Sequence, residues 1–204
     1  MSWGEPEAKG DAIQITGLMP DGARLGGVIL TVHFDGEQIS VLQQQNLPGT
    51  PMPASDVKLN EHIKASVNGA LGVRNPMLVS YIDESGQPVL SFRGSTQVYS
   101  DDQLAIWVRN GDGSFIRSVQ KNPKIALMYR DEDSRCTYQF QGRARIETDA
   151  AGRAQVYDAM AQVERDHDFA HVGVALIIDL DLVQGFAGLG PGGPEGPVRM
   201  VRGA

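Results

Sequence analysis

Residues 104–125 read LAIWVRNGDGSFIRSVQKNPKI, a stretch that sets Arg109, Asn110, Ser114 and Arg117 around Gly111 and Gly113. Two guanidinium groups, an amide and a hydroxyl this close in sequence are the equipment for holding a phosphate. Arginine grips phosphate with two parallel hydrogen bonds. The glycines let backbone N–H groups approach a ligand, and Ser114 stands where a short helix should begin, its free N–H groups attracting an anion. The residues alone leave open a plainer reading, an Asn-Gly-Asp-Gly turn with solvated arginines. Just upstream, VLSFRGSTQVY (89–99) carries Arg93 in mid-strand among apolar neighbours. Alternation puts Arg93 and Ser95 on one face, looking into one groove, with Thr96 opposite and Gly94 able to permit a bulge. An arginine so placed needs a partner, because burying it unpaired is costly; a structural salt bridge would also serve.

The elements that must position these groups follow from apolar periodicity and turn signals. Strands are expected at 12–18, 26–34 and 38–44, separated by Pro20-Asp21-Gly22 and by Asp35-Gly36, the latter a strong hairpin signal. Residues 45–55 hold three prolines and read as an extended linker. Ser55 or Asp56 should cap a helix running to about residue 70. Next come strands at 77–83 and 88–98 around a Glu-Ser-Gly-Gln turn, then 103–108, the short helix, 125–130 and 137–147. Thr148 or Asp149 caps a third helix, and 172–182 forms the last strand. Residues 188–204 are too rich in glycine and proline to fold regularly. This order predicts a mainly β, antiparallel protein with three short helices, closed into a barrel that removes its edges. Its expected divisions are an N-terminal extension (1–54), the barrel domain (55–187) and a flexible tail (188–204). The hairpin of the extension should pair with the barrel or with a partner subunit.

Composition narrows the function. The 204 residues carry a net charge of -7, which excludes the broad basic surface that nucleic acid or an anionic membrane requires. Cys136 is the single cysteine, so neither an intrachain disulfide nor a Cys-rich metal site is available. No apolar run approaches the roughly 20 residues that span a bilayer, and MSWGEPEAKGD lacks the basic start and apolar stretch of a signal peptide. A cytoplasmic location is expected. His167 and His171, four apart in ERDHDFAH, lack the Glu and third ligand of a zinc-protease motif, and a polar helix end accounts for them better than a metal.

The order of hairpin, strand with arginine, strand ending WVRN, serine-led helix and NPKIALMY resembles the FMN-binding split barrels of the pyridoxamine 5'-phosphate oxidase-like superfamily, over about residues 56–186. QFQGRARIETD and LIIDLDLVQGF resemble that family's later strands. The resemblance implies a split β-barrel with an N-terminal β-hairpin extension. It also implies a homodimer with FMN at the interface and a flavin-dependent oxidoreductase acting on a small molecule, with NAD(P)H as a possible electron donor. By position, Arg93 and Ser95 carry over near the cofactor phosphate, Trp107, Val108 and Arg109 beside the flavin ring, and Ser114 and Arg117 at the phosphate end. The family's Ser-Arg-Lys is here Ser114-Phe115-Ile116-Arg117. The Trp- and Arg-rich ending of true pyridoxamine phosphate oxidases is replaced by GLGPGGPEGP, so oxidation of a B6 vitamer is not expected. The deazaflavin F420, haem or biliverdin are the alternative ligands within the superfamily, and F420's polyanionic tail would call for a more basic surface. A non-enzymatic flavin sensor, or a structural dimer with a vestigial pocket, are alternatives in function. No catalytic side chain is named, since the flavin would carry the chemistry.

Overall fold

The structure, a computed structural model, describes residues 1–19, 25–49, 53–188 and 195–204. The turn expected at 20–22 lies outside the described residues. Two compact units divide the chain, Met1–Pro53 and Ala54–Ala204.

The first unit is an antiparallel sheet of β1 (Ser2–Trp3), β2 (Glu7–Lys9), β3 (Ala12–Leu18), β4 (Leu25–Asp35) and β5 (Gln38–Pro48). Its order is β1-β3-β4-β5, with β2 beside β3. The Asp-Gly turn forms the expected hairpin: Asp35 pairs with Gln38 and Gly36 takes φ +62°, a left-handed conformation that costs glycine little. Residues 45–48, expected in the linker, instead extend β5 by pairing with the start of β4. Within its own unit the hairpin pairs with β3.

The second unit contains α1 (Glu61–Gly69), β6 (Met77–Ile82), β7 (Pro88–Arg93), β8 (Gln97–Ser100), β9 (Gln103–Val108), α2 (Ser114–Lys121), β10 (Lys124–Asp131), β11 (Cys136–Ile146), α3 (Ala150–Ala159), α4 (Gln162–Arg165), β12 (Val174–Ala187) and β13 (Glu195–Val201). Its strands form one antiparallel sheet in the order β7-β6-β10-β11-β12-β9-β8, with β13 on the far half of β12. This is the expected mainly β split barrel with a few short helices. The expected flexible tail is corrected in part: residues 195–201 are a strand, because β12 outruns β9 and its later residues, Leu182 to Ala187, find their partners there.

Alternation along the strands builds the core. Met77, Val79 and Tyr81 of β6, Ile125, Leu127 and Tyr129 of β10, and Leu176, Ile178 and Leu180 of β12 face inward with Leu104, Ile106 and Val108 of β9. Ile63 and Val67 of α1 and Phe115, Ile116 and Val119 of α2 pack against them. The other face of β9 is buried as well. Ala105 and Trp107 meet Val156 and Tyr157 of α3, and Met160 at its C-terminal end, in a second cluster. Covered on both faces, β9 reads as a continuous apolar run.

Helix starts show where local signals meet tertiary competition. Asp149 caps α3, accepting from Gly152 N as expected. The first helix begins later than expected, capped by Asn60, whose side chain accepts from Ile63 N. Asp56 is engaged elsewhere, by Val57 N and by Gly203 N from the chain end.

Candidate functional site

The long strand expected at 88–98 breaks at Gly94. Thr96 turns back there, its N–H and hydroxyl both donating to Arg93 O. A Cβ on Gly94 would stand 2.3 Å from Glu164 Oε1, so a larger residue at this corner would have to push the Glu164 side chain aside. The break separates the two groups that alternation places together. Arg93 stays on the barrel side of β7, whereas the buried Ser95 donates its hydroxyl to Trp107 O at 2.8 Å and lines a different depression.

Arg93, Val108, Arg109, Asn110, Gly113, Ser114, Phe115 and His167 surround an open cleft of about 580 Å³. Val108 and Arg109 arrive at the end of β9. Asn110 shapes the loop, with Oδ1 accepting from Asp112 N. The N-cap of α2 is Gly113, with no side chain to satisfy the first N–H groups of the helix, and the first backbone bond of the helix runs from Arg117 N to Gly113 O. Ser114 opens the helix at the cleft.

Arg93 lies 4.4 Å over the Phe115 ring. Its buried Nε has no hydrogen-bond partner, and no salt bridge to it exists among the described residues. Burial pulls this guanidinium below its ordinary pKa; Tyr81 opposes that and the positive charge of Arg109 adds to it. Among the described residues, no carboxylate lines the cleft. Two cations, an amide, a hydroxyl and an uncapped helix start thus face a space with nothing negative in it, and an anion would satisfy them.

Of the seven residues singled out in sequence, Arg93, Val108, Arg109 and Ser114 meet here. Three do not bring their side chains to the cleft. Ser95 is diverted by the Gly94 corner. Trp107 points to the opposite face of β9, with Nε1 donating to Asp168 Oδ2 at 2.9 Å. Arg117 reaches Glu84 Oε2 at 3.1 Å and Asp112 O instead, because α2 turns it toward the β6–β7 hairpin. Phe115 and His167 are the additions. Phe115 follows from the start of the helix, but His167 comes from a loop distant in sequence and carries no local signal. His171, by contrast, stacks on Tyr157 at 3.7 Å, and among the described residues no group of three metal-ligating side chains occurs.

A family profile described as pyridoxamine 5'-phosphate oxidase matches residues 62–176, more than half of the chain. No curated protein matches. Among solved structures, a Clostridium acetobutylicum protein related to general stress protein 26 (pyridoxinephosphate oxidase family) is 13% identical with a TM-score of 0.50, over 70% of this chain and 96% of that one. A heme binding protein from Mycobacterium smegmatis is 14% identical with a TM-score of 0.50, over 70% of this chain and 59% of the other. HupZ of Group A Streptococcus is 19% identical with a TM-score of 0.48, over 69% and 98%. The two likenesses at 0.50 show a shared fold. No helix among the described residues is long and apolar enough to cross a membrane.

Proposed function

The chain belongs to the pyridoxamine 5'-phosphate oxidase-like family of split barrels, and from that premise we propose that it binds FMN and serves as an oxidoreductase for a small molecule. The observation that carries the reading is the cleft lining, where Arg93 and Arg109 meet Ser114 and the uncapped start of α2 and, among the described residues, no carboxylate. A phosphate is the ligand group that fits this donor set. Arg93 and Arg109 would supply charge, Ser114 its hydroxyl, and the start of α2 its backbone N–H groups. Val108 and Phe115 offer apolar surface for the adjoining part of the ligand. When bound, the flavin supplies the redox chemistry, and the protein contributes position, charge and exclusion of water. F420 fits less well, since its polyanionic tail would lie on a chain of net charge -7. The reaction is not proposed to be oxidation of a B6 vitamer, because GLGPGGPEGP stands where that activity has its Trp- and Arg-rich segment.

A second copy of the chain would complete the pocket. Leu90 and Phe92 of β7 are 65% and 68% exposed, and on the same outward face Phe92 pairs with Leu78, which pairs in turn with Met128. Such an apolar patch suits a homodimer, with the flavin at the interface. Cys136, the single cysteine, is buried, which suits the reducing cytoplasm where we place the protein.

Extraction of the bound cofactor from purified protein, with mass spectrometry, tests the reading. FMN released from a yellow preparation that NADH or NADPH bleaches supports a flavin oxidoreductase. A flavin that neither donor reduces points to a binding or sensor module. Haem or F420 in its place would overturn the FMN assignment.

A further inference from the structure

We propose that His167 is a further ligand contact of the cleft, and that Asp168 and Trp107 are positioning residues that hold it there. The inference rests on the phosphate reading above and adds to it a group that neither the sequence motifs nor the family match assigns. His167 lines the cleft with Arg93 and Arg109 although it is 58 residues downstream of Arg109, in the connection between α4 and β12. A surface connection that carried no contact would need little fixing. This one is fixed by the residue next to His167.

Asp168 is only 6% exposed. Its Oδ2 accepts from Trp107 Nε1 and from Gly173 N, both at 2.9 Å, and its Oδ1 accepts from Val172 N at 3.1 Å. Its backbone is held too, with its N–H on Arg165 O and its carbonyl accepting from Tyr157 OH. Burial pushes the Asp168 carboxyl up, but the N–H groups of Gly173, Trp107 and Val172, with His171, bring it below its ordinary value. Arg153 closes the far end of the loop, donating to Gly173 O and His171 O while stacking over the Trp107 ring. A Cβ on Gly173 would meet Trp107 Nε1 at 2.5 Å, so the loop lies directly on the indole.

The geometry ties two faces of one strand to one ligand site. Val108 looks into the cleft, and its neighbour Trp107, facing the other way, grips the carboxylate that aims the adjacent His167 back into the same cleft. The imidazole adds a hydrogen-bond donor to the anion, beside the two guanidinium groups. Asp168→Asn would set an amide NH₂ against N–H donors that need an acceptor, releasing the loop. Trp107→Phe would remove one of those donors and keep the ring.

The test is FMN titration of the full chain, with riboflavin as the ligand lacking phosphate. His167→Ala should weaken FMN binding about tenfold, the worth of one hydrogen bond to a charged group, and leave riboflavin binding unchanged. Asp168→Asn, or Trp107→Phe if the first does not fold, should weaken FMN binding in the His167 protein and have no effect in the His167→Ala background. A double-mutant cycle of this kind isolates the coupling from a general loss of stability. Unchanged FMN affinity in His167→Ala while Arg93→Met weakens it would overturn the proposal and leave the phosphate reading intact. So would an equal effect of Asp168→Asn in both backgrounds. If neither His167→Ala nor Arg93→Met alters FMN binding, the phosphate reading falls and takes this proposal with it.

Discussion

Replacing Arg93 by methionine should separate two quantities that ordinarily move together. Arg93 is a cation whose Nε is buried without an acceptor among the described residues, so the guanidinium contributes little stability. Its compensation is the stacking on Phe115, worth about 0.5–1 kcal/mol for a partly exposed pair. Methionine keeps the apolar stem and can itself pack on an aromatic ring. The ligand-free variant should therefore stay within about 1 kcal/mol of wild type. Binding should respond differently. A hydrogen bond to a charged group is worth about 1.5–3 kcal/mol, so losing one raises the Kd for FMN by about 10- to 150-fold. At an FMN concentration 100 times the wild-type Kd, the ligand stabilises wild type by about 2.7 kcal/mol, and a variant weakened 100-fold by only about 0.4. For a chain of this size that difference is about 5–9 °C of Tm. Fluorescence titration gives the Kd, thermal unfolding with and without FMN gives the shifts, and riboflavin is the control. A ligand-free Tm that falls by as much, with FMN and riboflavin weakened alike, would mean that Arg93 holds the fold rather than a phosphate.

Glu84→Gln should release Arg117 from its ion pair and remove a negative charge near the start of α2, tightening FMN binding two- to threefold at low salt; no change at low salt refutes that electrostatic link. Phe92→Asp should convert the proposed dimer to a monomer in light scattering, and a wild-type protein already monomeric at micromolar concentration would remove the interface from the argument. Because Asp168 lies below its ordinary pKa when folded, its carboxylate stabilises the protein above about pH 3.9, the unfolded value, and that contribution is lost as pH falls through the lower folded value. The gap in urea midpoint between wild type and Asp168→Asn should thus narrow below about pH 4; a gap constant from pH 6 to pH 3 contradicts the charge-based role.

Much of the fold is legible because its signals are local. The strand at 103–108, the Asp35-Gly36 hairpin and the Asp149 cap each depend on residues a few positions apart, and each forms as the pattern dictates. The departures all involve a distant partner. Asp56 has the right chemistry for a cap, but Gly203 N, 147 residues away, engages its carboxylate. Ser95 has the right parity for the groove, but a corner at Gly94 gives its hydroxyl to Trp107 O. Glycines and prolines after residue 187 suggest a tail, yet β12 has unpaired backbone groups to offer and Glu195–Val201 takes them. Pattern reading reports what a residue can do locally; it does not report which partner reaches it first.

The same competition explains why an acidic chain can keep a cationic cleft. Acidic residues outnumber Lys and Arg by 25 to 18, and Asp112, Asp166 and Asp168 all lie near the cleft residues in sequence, so a count along the chain would predict a neutral site. The fold ties two of these carboxylates elsewhere and brings none to the cleft lining. Asp168 faces the Trp107 indole and two backbone N–H groups, Asp166 accepts from Gln162, and Glu84 is paired with Arg117. What remains around the cleft is Arg93, Arg109, His167 and the start of α2. Positive potential there is thus made less by adding basic residues than by directing nearby acids to other partners. Substitutions at Glu84 and Asp168, neither of which lines the cleft, should therefore alter anion affinity in opposite directions: Glu84→Gln by removing a competitor for Arg117, Asp168→Asn by releasing His167.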